Sequence, residues 1–180
     1  MSTEWRHDAL AQPLPDGSFD VARRLVEEYR MADPAIVRAS WDPGAPLLGR
    51  EMLLQLRFRR LLWVHARVRV TRVWDERRDG ARVFGFEYET LPGHLEMGRM
   101  DYEVWGWADG RTEFRLHAQS KASGEGAWWA RIGFWLFGRR EQVRFYLRCC
   151  TRMARLTARE LGLRDVQPPA PVRLATPAAP

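Results

Sequence analysis

The side chains of this 180-residue chain that could do chemistry are four histidines, two tyrosines at strand-like positions, two cysteines and a set of clustered arginines. His94 ends the run Leu91-Pro92-Gly93-His94, where Pro92 fixes φ and Gly93 supplies a positive φ. Its imidazole would therefore project from a turn at a strand end, suited to acid–base work or to a change of charge near neutral pH. Glu96 and Arg99 follow closely enough to form a polar rim beside it. Tyr88 and Tyr102 sit on the apolar parity of two alternating segments, so each carries into a buried face a hydroxyl that needs a partner. A cyclase- or hydrolase-type reaction would require Tyr88, His94 and Glu96 to converge. No second catalytic group stands at a set spacing from His94, so enzyme activity is left open and the expectation leans towards binding.

The remaining reactive residues point to structure. His65 and His117 share the polar parity of their segments with Arg67, Glu87, Glu89 and Arg115, where cross-strand pairing accounts for them. His7 lies in an irregular leader. Cys-x-x-Cys, His-x-His and His-Glu-x-x-His spacings are absent, as are a glycine-rich phosphate loop and a G-x-S-x-G elbow, so neither a metal nor a cofactor is expected. Cys149 and Cys150 are adjacent, which excludes a disulfide scaffold. They are expected to face different sides of a helix, with Cys150 in its apolar stripe.

The elements that must position these groups follow from periodicity. Residues 1–17, with Pro13, Pro15 and Gly17, read as a flexible leader. Ser18 or Asp20 can cap a helix whose apolar positions are Val21, Leu25, Val26 and Tyr29, ending near Asp33. Pro34 suits the start of a second short helix over 34–40, and 41–49 is a loop. From Glu51 the period becomes two. Leu54, Leu56 and Phe58 alternate with polar residues, as do Leu62 to Val70, then Phe84, Phe86 and Tyr88, then Met100, Tyr102 and Val104, then Phe114, Leu116 and Ala118. Asp79-Gly80 and Asp109-Gly110 mark hairpins. Five or six antiparallel strands with one apolar and one wet face result.

After Gly126 the helical period returns. Ile132, Leu136, Val143, Leu147, Cys150, Ala154 and Leu161 form one stripe, Arg140, Arg144, Arg148, Arg152, Arg155 and Arg159 lie largely opposite, and Gly162 stands at the expected cap. Residues 166–180, rich in proline and alanine, read as a disordered tail. The order is α+β, and the C-terminal helix offers the long stripe able to cover the sheet. The expected architecture over 18–165 is a helix-grip (START / Bet v 1-like) domain: a curved antiparallel sheet wrapped on a long C-terminal helix, with two short N-terminal helices. Such a fold leaves a concave, apolar cavity.

The run Gly85-Phe86-Glu87-Tyr88-Glu89-Thr90-Leu91-Pro92-Gly93-His94-Leu95-Glu96-Met97-Gly98 resembles the G-F-x-Y-x-T-L-P-G-H-x-E-x-G hallmark of the DUF1990 family. Leu61 to Trp63, and Gln142 with Tyr146, resemble further parts of its pattern, from about residue 45 to about residue 160. One departure stands out: the family pattern continues G-E-E-x-F, whereas this chain has Gly98-Arg99-Met100-Asp101-Tyr102. The resemblance implies a fold and no particular activity.

Composition narrows the class of function. No run approaches the 18 or so apolar residues of a membrane span, and Met1 to Ala11 lacks a signal-peptide h-region. A cytoplasmic protein is expected. Twenty-eight arginines and one lysine leave a net charge of +6. Residues 1–120 hold 18 basic and 19 acidic groups, and residues 121–165 hold 10 and 4, so the excess lies in the C-terminal segment. The leading expectation is a pocket for a hydrophobic, lipid-like small molecule, lined by Phe84, Phe86, Tyr88, Tyr102 and Phe114, with Phe58 beside them and His94 at the mouth. The alternative is an interaction protein that binds nucleic acid or anionic membrane through Arg140, Arg144, Arg148 and Arg152. The aromatic stretch Trp128–Phe137 is read as core or as a lid over the ligand, ahead of membrane contact.

Overall fold

Alternation with a period of two produces strands, and hairpin turns between them produce neighbours, so the middle of the chain folds into a meander. The computed structural model describes residues 2–5, 17–58, 62–91, 96–122 and 128–163. Its elements are β1 (Ser2–Trp5), α1 (Ser18–Glu27), β2 (Val37–Ser40), β3 (Glu51–Phe58), β4 (Leu62–Arg78), β5 (Ala81–Thr90), β6 (Glu96–Gly106), β7 (Thr112–Ala122) and α2 (Trp128–Glu160). Strands β2 to β7 lie side by side in sequence order in a curled antiparallel sheet, and β1 pairs with the outer edge of β7.

Three segments depart from the sequence expectations. The stretch 34–40 is no helix: Val37–Ser40 pairs with Leu53 to Leu56 of β3, because an unpaired sheet edge captures a short extended segment that is too short for a stable helix. Ser2–Trp5, expected in a loose leader, is a strand on β7. The first helix ends at Glu27, well before Asp33. Tyr29 there adopts a left-handed conformation (φ 53°), and its N–H donates to the Val26 carbonyl (3.0 Å) while that of Arg30 donates to Leu25 (2.8 Å). This is a Schellman closure with tyrosine in the position glycine usually holds. At the other end Gly17 is the cap residue, and Ser18 bonds the Thr112 hydroxyl on β7 instead of capping.

The apolar face of the sheet is covered differently from expectation. The ten-residue α1 lies directly on β5, β6 and β7 through Phe19, Val21, Ala22, Leu25 and Val26, all buried. Gly106 permits this approach, since a Cβ there would lie 2.7 Å from the Phe19 ring. Ion pairs across the same face, Arg23–Asp75 (2.6 Å) and Asp20–Arg82 (3.3 Å), hold the helix in register with the β4–β5 hairpin. The C-terminal part of α2 packs beside α1 and buries Cys149, Cys150, Met153, Ala154, Thr157 and Ala158. Both cysteines are therefore inside, whereas Leu147, expected in the stripe, is exposed. Small residues at these positions let two helices approach closely, which a leucine would prevent. Gly162 (φ 70°) ends the helix where the sequence indicates.

The outer face is not simply wet. The sheet register slips between Val70 and Arg72, leaving Thr71 as an extra residue in β4. The slip turns Trp74 outwards over Gly85, where it joins Ala81, Val83, Trp105 and Trp107 in a second apolar cluster. Arginine stems lie over these rings, Arg115 3.8 Å and Arg78 5.5 Å from the Trp105 centroid and Arg72 5.7 Å from that of Trp74.

Candidate functional site

Among the described residues the apolar face of the sheet is fully buried at one end and partly exposed at the other, and three tyrosines stand between the two. Along the strands, successive cross-strand rows lose their cover. Phe84, Val104 and Phe114 are fully buried, as are Phe86, Tyr102 and Leu116 in the next row. In the row after that, Val70 remains buried and Tyr88 is 9 % exposed, while Met100 is half-buried and Ala118 exposed. Beyond them on the same face of β4, Val68 is buried, Ala66 is half-buried and Val64 is 39 % exposed, and Leu54 opposite Ala66 is buried.

Tyr88 and Tyr102 face inwards as their parity requires, and the left-handed turn at Tyr29 adds a third phenol. The Tyr29 and Tyr102 hydroxyls are 3.0 Å apart, those of Tyr88 and Tyr102 3.4 Å. Tyr102 donates to the thioether sulfur of Met100 (2.8 Å), and Tyr88 lies 3.3 Å from the same atom. A phenol has one proton. The arrangement that gives every proton an acceptor has Tyr29 donating to Tyr102, and Tyr102 and Tyr88 both donating to the Met100 sulfur. The rings pack as well, Tyr29 edge-on to Tyr102 at 5.7 Å and Phe86 at 5.2 Å from Tyr102. Burial holds all three phenols above their ordinary range, so they stay protonated donors across physiological pH. Beside them burial pushes the Cys149 thiol well up, which leaves it unreactive. Met100 presents a weak, neutral acceptor to the hydroxyls.

The other expected site residues divide. Phe84, Phe86 and Phe114 are in the core together with Tyr88 and Tyr102. His94 and the side chains of Phe58, Glu96 and Arg140 lie outside the described residues. Of the arginine set, Arg148 pairs with Asp33 (2.7 Å), and Arg152 donates to the Arg30 carbonyl (2.8 Å) at the end of α1. Both tie α2 to the segment after α1. Arg144 is exposed. Tyr29 escaped sequence reading because it also fits the helical stripe, and nothing local announces that the helix stops before it.

A second polar group occupies the outer face. Arg72, Glu87, Asp101 and His117 are direct cross-strand neighbours on four adjacent strands. Glu87, 5 % exposed, accepts from the Thr71 hydroxyl (3.0 Å) and approaches Arg99 (3.8 Å). Burial first, then the charge and hydrogen bond of Glu87, push the Asp101 carboxyl up to about 6. Burial lowers His117. Folding thus favours the protonated aspartic acid, and this contribution is fully present below pH ~4 and lost as pH rises through 6. His117 acts oppositely: its contribution is present above its unfolded value of 6.5 and lost as pH falls towards its lower folded value. Asp101→Asn is expected to stabilise the protein at pH 7.5 by about 1 kcal/mol, after discounting for a half-exposed group. At pH 4.5 the gain should vanish. Urea unfolding at both pH values checks this, and an equal gain at both would refute the shared-proton account. Among the described residues no group of three or more His, Cys, Asp or Glu could hold a metal ion.

The fold and site define an α+β protein with a curled antiparallel sheet, whose concave face is half covered by two helices. The chain belongs to the family described as Domain of unknown function (DUF1990), whose model matches residues 1–152. This match spans α1, the whole sheet and the tyrosine trio. A comparison with curated proteins gave no match. No helix among the described residues is long and apolar enough to cross a membrane.

Proposed function

We propose that the protein is a cytoplasmic binding module of the helix-grip kind that takes a hydrophobic small molecule or lipid-like ligand on its concave sheet face. One observation carries this reading: beyond Tyr88 the apolar face continues past the buried Val68 and Leu54 to the half-buried Leu56 and Ala66 and the exposed Val64, where its cover thins. A face built only as core would end where its cover ends. The ligand's apolar body would lie over Leu56, Val64 and Ala66, with Tyr88 and Met100 as its floor, and His94 at the mouth completes the proposal. The neutral fluorophore N-phenyl-1-naphthylamine should bind saturably at one site per chain. Val64→Arg, on an exposed position, should weaken it about 10-fold or more by placing a charge in the apolar path. Absence of saturable binding, or indifference to Val64→Arg, overturns the reading. The alternative, an anionic partner on the arginine face of α2, draws less support, because Arg148 and Arg152 already bond Asp33 and the Arg30 carbonyl in the segment after α1.

A further inference from the structure

The hydrogen-bond arithmetic of the tyrosine trio, on the pocket reading above, selects a ligand chemistry. Three phenols converge, each bringing one proton. Tyr29 gives its proton to Tyr102, and Tyr102 gives its own to Met100. Tyr88 shares that sulfur at 3.3 Å, an ordinary length for a hydrogen bond to a thioether, and stands 3.4 Å from the Tyr102 hydroxyl, a long contact. A thioether is a weak acceptor, and here it is the terminus for two donors. Tyr88 is also the least buried of the three and stands where the concave face opens. The cluster therefore ends, at its least buried member, with a donor held by a weak acceptor that it shares with Tyr102.

The charge around the cluster limits what that acceptor can be. Among the described residues no arginine, lysine or histidine hydrogen-bonds any of the three hydroxyls. Three arginines around the end of α1 are already engaged: Arg152 on the Arg30 carbonyl, Arg148 on Asp33, and Arg50 on the Glu27 carbonyl (2.8 Å). A carboxylate placed against Tyr88 would lose its water and find no cation bonded to the trio among the described residues, a costly exchange. An uncharged carbonyl loses far less and is a better acceptor for a phenol than a thioether is.

We infer that the concave site takes an apolar ligand bearing an uncharged carbonyl oxygen, a ketone or ester, which accepts the hydroxyl proton of Tyr88 in place of the Met100 sulfur. The carbonyl would sit at the boundary row and the hydrocarbon would run over Ala66 and Val64.

Displacement of bound N-phenyl-1-naphthylamine from the full chain by decane, 2-decanone and decanoate tests this. 2-Decanone should compete about 5- to 10-fold better than decane, the worth of one hydrogen bond, and decanoate should compete worse than 2-decanone at pH 7.5. Tyr88→Phe should bring 2-decanone and decane to parity while the fluorophore still binds. Met100→Leu, which removes the competing acceptor and keeps the volume, should preserve or raise the preference for the ketone, and serves on its own if Tyr88→Phe unfolds. If the fluorophore binds but 2-decanone does no better than decane, or decanoate is preferred, the inference falls and the pocket stands. If the ketone preference survives Tyr88→Phe or is lost in Met100→Leu, it falls as well. If the fluorophore does not bind at all, both fall.

Discussion

Gly85→Ala is expected to lower the unfolding free energy by about 3 kcal/mol, at the upper end of what overpacking costs. A Cβ at this position would lie 2.6 Å from two ring atoms of Trp74 and 2.6 Å from the carbonyl oxygen of Tyr102. Neither neighbour yields easily. The indole is held in the outer apolar cluster under Arg72, and the carbonyl belongs to the ladder joining β5 to β6. Urea unfolding measures the loss. The double variant Gly85→Ala, Trp74→Leu should recover only part of it, since the contact with backbone remains. A loss below about 1 kcal/mol would mean that Trp74 swings away freely, and the outer cluster would then be a surface ornament rather than a packed layer.

Tyr102→Ala should cost about 4 kcal/mol, typical for emptying a buried aromatic site. Its ring is fully buried and touches Tyr29, Phe86 and Tyr88, so removing it opens space between α1 and the sheet. Tyr102→Phe separates the hydroxyl from the ring. It keeps the packing but leaves Tyr29 a donor without its acceptor, for which about 1–2 kcal/mol is expected. Comparable losses in the two variants would show that the hydrogen-bond relay, more than the ring, holds α1 down. A negligible loss in Tyr102→Phe would mean that the hydroxyl network is replaced at no cost, which would weaken the case for an acceptor-seeking site.

Glu87 and Glu103 show how the polar parity of a strand can mislead. Both lie on the face that alternation assigns to water, yet they are 5 % and 8 % exposed. The extra residue at Thr71 turns Trp74 over that face, and the stems of Arg78 and Arg115 cover Trp105. Glu103 accepts from the Trp105 indole (2.8 Å) and from Arg78 (3.0 Å), so its burial is fully partnered. No local sequence rule foretells the bulge, because its position is set by how two long strands twist against each other.

The sequence by itself determined the meander, its hairpins and the inward direction of Tyr88 and Tyr102, since the side-chain period of a strand is fixed by backbone geometry. It also determined the end of α2 at Gly162, where positive φ favours glycine. Tertiary structure alone decided which helix covers the sheet centre. That depended on the close approach over Gly106 and on ion pairs between residues over fifty positions apart, such as Arg23 with Asp75. It likewise decided that Val37–Ser40 is a strand, because a sheet edge offers hydrogen bonds that four residues cannot make alone. The third tyrosine came the same way: Tyr29 leaves helical geometry at a cost of about 1 kcal/mol, which packing against Tyr102 and the Tyr29–Tyr102 hydrogen bond offset.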